Sequence, residues 1–304
     1  MFSLQRSILS ALAYHSIFNY PLTVGEIHRY LISDTPVSIS ALKQEIQNLL
    51  KTKKILQRND FFLPLALSPH PSSLVTLRQR RKDINLKKLI IAKQASRIIS
   101  MIPWVKMVAV TGALAMENTD KDDDIDLMVV ASKNRLWIVR PVILILISLF
   151  FKRRKPTTMS KEQKTENNNN SLCFNLWIDE YALEIPKSQC NLYTAHELAQ
   201  MKPIFNKDGI YERMMAKNIW GNKYLANVWK GFEGWRVNGL KRSSHFQPFD
   251  FFSFLNLLAF NLQFRHMRAK MTNERVSINF AFFHPGNRAD TILSAYDRIC
   301  HRNF

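Results

Sequence analysis

Residues 111–130 decide the fold, and they read Thr-Gly-Ala-Leu-Ala-Met-Glu-Asn-Thr-Asp-Lys-Asp-Asp-Asp-Ile-Asp-Leu-Met-Val-Val. An acidic run leads here into apolar residues, which is typical of a loop that opens a buried strand. Side chains alternate between the two faces of a strand, so we expect Asp124 and Asp126 on one face and Ile125 and Leu127 in the core. The sequence therefore predicts two neighbouring carboxylates at the beginning of a strand.

A pair of carboxylates this close favours a bound cation, because the like charges repel and raise each other's pKa. Mg²⁺ is the natural candidate, since it prefers oxygen ligands and is often held by one or two carboxylates together with substrate phosphates. The apolar run 105–110 predicts the preceding strand, and Gly112 lies at the turn, where its backbone can approach a triphosphate. The pattern predicts a magnesium site for phosphoryl transfer.

These residues resemble the nucleotidyltransferase superfamily of DNA polymerase β, whose motif is Gly-Ser, a short spacer and Asp-x-Asp followed by apolar residues. The motif stands here as Gly112-Ala113 and Asp124-Ile125-Asp126-Leu127. The resemblance implies an α/β (α+β) fold with a small mixed-sheet core. It also implies that Asp124 and Asp126 bind the metal ions, Mg²⁺ or Mn²⁺, that carry the incoming NTP. Gly112 and Ala113 would hold the phosphates.

The chain departs from the motif at three positions. Ala113 replaces the phosphate-binding serine, Glu117 stands where a glycine is often found, and Asp123 replaces a common serine. The lost hydroxyl and the added negative charge both argue against tight triphosphate binding. Asp120 and Asp122 are predicted to be solvated loop residues.

The resemblance also implies a third carboxylate on a neighbouring strand. The next strand-like run is 172–178, whose polar side chain is Asn175. A neutral amide would weaken both metal affinity and the activation of an acceptor hydroxyl. For the third carboxylate, Asn175 has the more suitable position in the sequence, whereas Asp179 has the required carboxylate. Glu180 and Glu184 are nearby alternatives. The sequence leaves this choice open.

Composition and charge indicate a folded protein with an anionic partner. The chain has 304 residues, 46% of them hydrophobic and 22% charged, which excludes disorder of the whole chain. The formal net charge of +19 lies mainly in the segments 1–100 and 191–304. A nucleotide is the predicted substrate, and the basic flanks favour nucleic acid as a further partner, ahead of an anionic membrane surface.

The cysteines and the apolar segments of the sequence predict a cytoplasmic protein. Three cysteines without metal-ligand spacing predict free thiols, and the beginning of the chain lacks the pattern of a secretory signal. The apolar run 141–151 precedes a basic tail, but it is shorter than the ~20 residues of a spanning helix. We expect a buried helix on the sheet, cut short at Arg140 and Pro141, with peripheral membrane contact as the alternative.

The organisation of the chain predicts four parts. Residues 1–70 resemble a winged helix, with three helices, a capping box at Thr23 and a hairpin. A basic connecting helix spans 71–103, and the nucleotidyltransferase core spans 104–190 with a disordered loop at 155–171. The C-terminal region 191–304 is predicted to be helical.

The third helix of the winged-helix-like part, about 38–51, carries polar residues that could face a groove of nucleic acid. These residues are Lys43, Gln44, Gln47 and Lys51.

Within the C-terminal region we expect a capping box at Thr194, a helix over 216–229, and core aromatics over 249–264. His196 and His284 are predicted to be structural. The order of the parts, with Tyr-Thr-Ala-His-Glu at 193–197 and Phe-His-Pro at 283–285, resembles a group of bacterial proteins that combine a winged-helix-like N-terminus with a polymerase-β-type core.

Two functions follow from these observations. The first is a Mg²⁺-dependent nucleotidyltransferase that transfers a nucleoside monophosphate from an NTP to an acceptor hydroxyl. The second is a catalytically weakened protein of the same fold that binds nucleic acid or a partner protein. Retention of both Asp124 and Asp126 favours the enzyme.

Overall fold

The computed structural model describes residues 3–67, 70–153, 170–238, 250–269, 271, 274–283 and 288–303. The N-terminal part has the predicted order of three helices and an antiparallel hairpin: α1 (Leu4–Ser16), α2 (Val24–Arg29), α3 (Ile39–Lys51), β1 (Ile55–Arg58) and β2 (Phe61–Pro64). The predicted capping box is present, since Thr23 Oγ1 accepts from Glu26 N and Thr23 N donates to Glu26 Oε2.

A 29-residue helix, α4 (Pro71–Ile99), connects this part to the centre of the chain, as predicted. Its first residue is Pro71, whose fixed φ suits the first turn of a helix. The centre contains β3 (Val105–Val110), α5 (Gly112–Ala115), β4 (Ile125–Ala131), α6 (Leu136–Phe150) and β5 (Leu172–Asp179).

The remaining elements combine helices with short strands: α7 (Leu192–Gln200), β6 (Lys202–Asn206), α8 (Ile210–Lys217), α9 (Ala226–Trp229), α10 (Glu233–Asn238), α11 (Phe251–Arg268), β7 (Arg275–Val276), β8 (Phe280–Phe282) and α12 (Arg288–Asn303). Six strands form one mixed sheet in the order β6-β3-β4-β5-β8-β7, in which β4 and β5 are parallel and the other neighbours antiparallel. The fold is a mixed α/β fold built on this sheet.

Half of the strands of this sheet come from the region that was predicted to be helical. β6 pairs with β3 at one edge; on the other side β8 pairs with β5, and β7 pairs with β8 at the outer edge. β7 and β8 have only two and three residues, and β6 contains Pro203, which a sheet accepts at its edge. Runs this short show no period in the sequence, so the prediction omitted them.

Helices cover both faces of the sheet. On one face, α4, α6 and α11 pack against the inward side chains of β3 and β4, among them Val108, Ile125 and Leu127. On the other face, α1, α7 and α8 pack against Met107, Met128 and their neighbours. Alternation along β4 therefore assigns Asp126 to the face opposite α4, α6 and α11.

The expectation that Pro141 limits the apolar helix is wrong, because α6 begins at Leu136 and continues through Pro141. Proline has no N–H for the carbonyl four residues before it, and here that carbonyl belongs to Trp137. Gln263 of α11 supplies the missing donor, with its Nε2 2.7 Å from Trp137 O, and its Oε1 accepts from Arg140 at 2.8 Å. Gln263 thus satisfies the carbonyl group that the proline leaves without a backbone donor.

The predicted burial of this helix and of the aromatic segment 249–264 is also wrong in part. Each helix buries one side and exposes the other: Ile145 of α6 is 62% exposed, and Phe251 of α11 is 69% exposed. The inner side of α11 is occupied by Ser253, Asn256 and Phe260. Other aromatic residues of this helix, such as Phe251, lie on its solvated side.

Two helix boundaries differ from the prediction. α7 is capped by Asn191, whose Oδ1 accepts from Thr194 N at 2.9 Å, so Thr194 lies inside the helix. The predicted helix over 216–229 is interrupted after Lys217, where the amide of Asn218 bonds to the carbonyls of Leu183 and Met214.

The three cysteines are free thiols, as predicted from the sequence. His196 is fully buried and stacks on Tyr14 with ring centroids 3.9 Å apart, in agreement with a structural role. The loop 155–171, except its last two residues, and the segment 284–286 lie outside the described residues. Within the described residues, every helix is too short or too polar to span a bilayer.

We predict that Gln263→Ala lowers the free energy of unfolding by about 1–3 kcal/mol, because the Trp137 carbonyl loses its donor. In a Pro141→Ala background residue 141 regains an N–H for that carbonyl, so the same change should cost clearly less. Urea unfolding of the four proteins in this double-mutant cycle measures both effects. If Gln263→Ala lowers the free energy of unfolding equally in both backgrounds, Gln263 does not replace the hydrogen bond that Pro141 removes.

Candidate functional site

The two aspartates lie where β4 begins. Asp124 directly precedes the strand and Asp126 is its second residue, and both are partly exposed. Ile125 and Leu127 between and after them are fully buried. The predicted alternation is therefore present from Ile125 onward, with Asp126 on one face of the strand and the apolar side chains of Ile125 and Leu127 in the core.

Gly112 brings the preceding turn against the carboxylate of Asp126. Its φ of +62° is left-handed, and a Cβ built on it would lie 2.5 Å from Asp126 Oδ2. Thr111 N donates to Asp126 O at 3.0 Å, which fixes the end of β3 beside the beginning of β4. Only glycine leaves room for the carboxylate and also favours this φ. Ala113 follows in α5 and is partly exposed.

Asn175 lies beside Asp126, and its Nδ2 donates to Asp126 Oδ1 at 2.5 Å. The register between β4 and β5 shifts at this point, because Leu127 pairs with Phe174 and Met128 with Leu176. The amide oxygen of Asn175 accepts from Cys173 Sγ at 2.8 Å. Asn175 thus positions the aspartate by donating to it.

Asp179 lies at the other end of β5, opposite Ala131. Five residues separate Ala131 from Asp126 along β4, a distance of roughly 17 Å. Asp179 is fully buried and accepts from Asn134 N, Tyr181 N and Asn279 Nδ2. Burial raises its pKa to about 6 despite these bonds. The structure therefore does not bring Asp179 to the pair.

The other two alternatives for a third carboxylate also lie elsewhere. Glu180 pairs with Arg213 at 3.0 Å. Glu184 is exposed, in the segment that follows β5.

The acidic loop before β4 is held by three side chains of α4, the helix predicted to be a basic connection. Lys88 is 1% exposed, and its Nζ donates to the carbonyls of Asp120 and Asp123. Burial lowers the pKa of Lys88, while the neighbouring aspartates oppose that shift. Arg81 donates to Asn118 and to Asp120, each at 2.7 Å.

Asn85 completes this set by donating to Glu117 O at 2.6 Å and accepting from Thr119 N at 3.2 Å. The signal that could have revealed the set is its spacing, since residues 81, 85 and 88 lie on one face of a helix.

Two of the departures from the motif have structural roles. Asp123 Oδ2 accepts from Asp120 N at 2.8 Å and closes the loop. Glu117 has a φ of 57°, a conformation that favours the glycine often found there. Its carboxylate pairs with Lys202 of β6 at 2.6 Å. Asp120 is likewise more than a solvated charge, since the hydrogen bond from Arg81 lowers its pKa.

The oxygen donors at the beginning of β4 are of the type that Mg²⁺ prefers in proteins. The described residues contain no cluster of three or more His, Cys, Asp or Glu side chains suited to a metal. Asp124 and Asp126 offer hard oxygen donors, and the absence of a side chain at Gly112 lets the carboxylate of Asp126 lie directly against the turn. Two carboxylates are enough for Mg²⁺ when waters and phosphate oxygens complete its octahedron.

A second polar surface lies on the N-terminal part, between α3 and the hairpin. It surrounds a groove of about 400 Å³ lined by Lys43, Gln44, Gln47, Gln57 and three apolar residues. Three of these four polar residues belong to the helix face predicted to meet a nucleic acid.

Comparison of the chain with models of protein families, with curated proteins and with solved structures finds no match. The resemblance to polymerase-β-type nucleotidyltransferases therefore stays a prediction that rests on the motif and on the geometry around it.

We predict that Gly112→Ala lowers the free energy of unfolding by about 1–3 kcal/mol, since the new Cβ meets Asp126 Oδ2 and φ is left-handed. Gly25→Ala is the matched control, because nothing lies within 4 Å of its Cβ position and it sits in α2. The control should be neutral or stabilising. Urea unfolding compares the two variants, and equal stability would place the carboxylate away from the turn.

Proposed function

We propose that this protein is a metal-dependent nucleotidyltransferase, which transfers a nucleoside monophosphate from an NTP to an acceptor hydroxyl. One observation carries the proposal: the carboxylate of Asp126 lies against the left-handed turn at Gly112 and is fixed by Asn175 of the next strand. A carboxylate pair beside a glycine turn is an arrangement that suits a metal–triphosphate complex.

Asp124 and Asp126 would hold one or two Mg²⁺ or Mn²⁺ ions. When bound, the metal neutralises the triphosphate and stabilises the charge that develops on the α-phosphoryl oxygens and on the pyrophosphate. Gly112 and Asn175 contact the Asp126 carboxylate from two sides. In this proposal the backbone of Gly112 and Ala113 would hold the phosphates. Asn175 is neutral and does not take the proton of the acceptor hydroxyl, so in this proposal the proton passes to water.

A second candidate function is a binding protein whose transferase core turns over weakly or not at all. The groove between α3 and the hairpin favours this second function, because its lysine and amide side chains suit the phosphates and base edges of a nucleic acid. The neutral Asn175 in the third position points the same way. Binding through the basic flanks would fall steeply with salt and would not depend on the aspartate pair.

We predict that Asp124→Asn with Asp126→Asn abolishes Mg²⁺-dependent NTP binding in calorimetric titrations and leaves the fold intact, because amides are weaker metal ligands and the pair no longer repels. Asp122→Asn is the control, since this exposed aspartate lies in the same loop. It should keep wild-type binding. Absence of NTP binding in all three proteins, together with salt-dependent nucleic-acid binding in the double variant, would replace the enzyme by the second candidate.

We predict that Asn175→Asp increases Mg²⁺ affinity and transferase rate, because it adds an anionic oxygen and a proton acceptor beside Asp126. Without metal the new charge should lower the free energy of unfolding by about 1–3 kcal/mol at neutral pH, and acid should relieve this cost as the pair takes up a proton. Thermal unfolding with Mg²⁺ and with EDTA measures the difference, and Asn175→Ala controls for the lost hydrogen bond. Equal metal stabilisation of both variants would contradict the site.

A further inference from the structure

The helical layer formed by α4, α6 and α11 has an apolar outer side. α6 lies between the other two helices and contacts both of them. Each helix turns one stripe toward the sheet and a second apolar stripe outward. We call the outward stripes the outer apolar face, which consists of Leu86, Ile90, Val142, Ile145, Leu149, Phe254, Leu258 and Leu262.

The exposure of this face is unusual for a surface in water. Its eight side chains are between 40% and 70% exposed. The spacing shows that each stripe follows one side of its helix: 86 and 90 on α4, 142, 145 and 149 on α6, and 254, 258 and 262 on α11. Contiguous apolar surface beyond a few hundred Å² marks an interaction site.

Positive charge borders the outer apolar face. Exposed basic residues lie on the same helices and directly after α6: Lys82, Lys87, Lys93, Arg97, Lys152, Arg265 and Arg268. Asp83 is the single acidic residue within α4, α6 and α11. Lys82, Lys93 and Arg97 share the outward side of α4 with Leu86 and Ile90, because all five follow helical spacing.

We propose that the outer apolar face binds an anionic membrane surface. Leucine, isoleucine and phenylalanine side chains insert at the boundary between lipid headgroups and acyl chains, while the lysines and arginines contact anionic headgroups. No helix of the described residues spans a bilayer, so the association is with the surface. The charge border identifies the lipid as anionic.

Other occupants fit this face less well. A nucleic acid would pair with the basic residues but would leave eight aliphatic and aromatic side chains without an apolar partner, since its exposed surface is mostly phosphate and sugar. A second copy of the chain would cover the apolar side chains but would bring two positive borders together.

The position of the face keeps the candidate site accessible. α4, α6 and α11 cover one face of the sheet, and Asp126 lies on the other. Surface binding therefore leaves the carboxylate pair on the far side of the sheet from the lipid. The proposal does not depend on the nucleotidyltransferase function.

The test is cosedimentation of the full chain with phosphatidylcholine vesicles, with and without phosphatidylglycerol. We expect binding to the anionic vesicles at least tenfold tighter than to the neutral ones, and weaker binding at high salt. Ile145→Ser with Leu258→Ser and Leu262→Ser should lose at least tenfold in affinity. Lys93→Gln with Arg97→Gln and Arg265→Gln should lose the preference for anionic lipid.

The matched control replaces three exposed large side chains elsewhere, Ile39→Ser with Leu65→Ser and Tyr181→Ser. It should bind like the wild type. All substituted residues are exposed, and circular dichroism melts check that each variant folds; Leu262→Ser alone replaces the triple variant if that one does not. The proposal is overturned if the wild type ignores anionic vesicles or if the control loses as much as the apolar variant.

Two further outcomes would assign the face to another occupant. A wild-type dimer in sedimentation velocity that the apolar variant abolishes, without vesicle binding, would assign it to a second copy. Binding of a DNA duplex that only the charge variant weakens, again without vesicle binding, would assign the basic border to nucleic acid.

Discussion

One buried ammonium group organises the region on which the candidate site depends. Lys88 enters from α4 and donates to two carbonyls of the acidic loop, at Asp120 and Asp123. A loop of consecutive acids would otherwise expand through its own repulsion, whereas a cation in its interior draws its backbone inward. The loop ends at Asp124, directly before β4 begins at Ile125. A buried positive charge on α4 thus holds the loop that precedes the two aspartates of the proposed site.

Local features of the fold were predictable from the sequence, and distant contacts were not. The capping box at Thr23, strand β4 and the turn at Gly112 depend on neighbours a few residues apart, so their signals are contained in short windows. The passage of α6 through Pro141 depends on Gln263, more than a hundred residues away, and no local pattern encodes it. The short strand β8 likewise depends on the edge that β5 offers, and β7 in turn pairs with β8.

In the candidate site, too, some residue positions follow from local patterns and others depend on distant contacts. Local patterns predicted that Asp126 lies at the beginning of a strand and Gly112 at a turn, because alternation along a strand and the left-handed preference of glycine are local rules. The choice between Asn175 and Asp179 needed the register of β4 against β5, which a parallel pair sets through a long crossover. The structure puts the amide beside the pair and keeps the acid at the far end of the strand. In the proposed site, the position expected for a third carboxylate is therefore occupied by an amide that donates to Asp126.

The sheet order has a consequence for how the protein is made. β3 and β5 receive their outer partners, β6 and β8, from about 100 residues further along the chain, so both edges of the central strands stay open during synthesis. At about 5–20 residues per second a ribosome needs roughly 5–20 s to supply those partners. During that interval the nascent chain presents two unpaired strand edges, which are templates for pairing with other chains. A chaperone that shields exposed strands on the ribosome would protect this protein at the stage when it is most prone to aggregate.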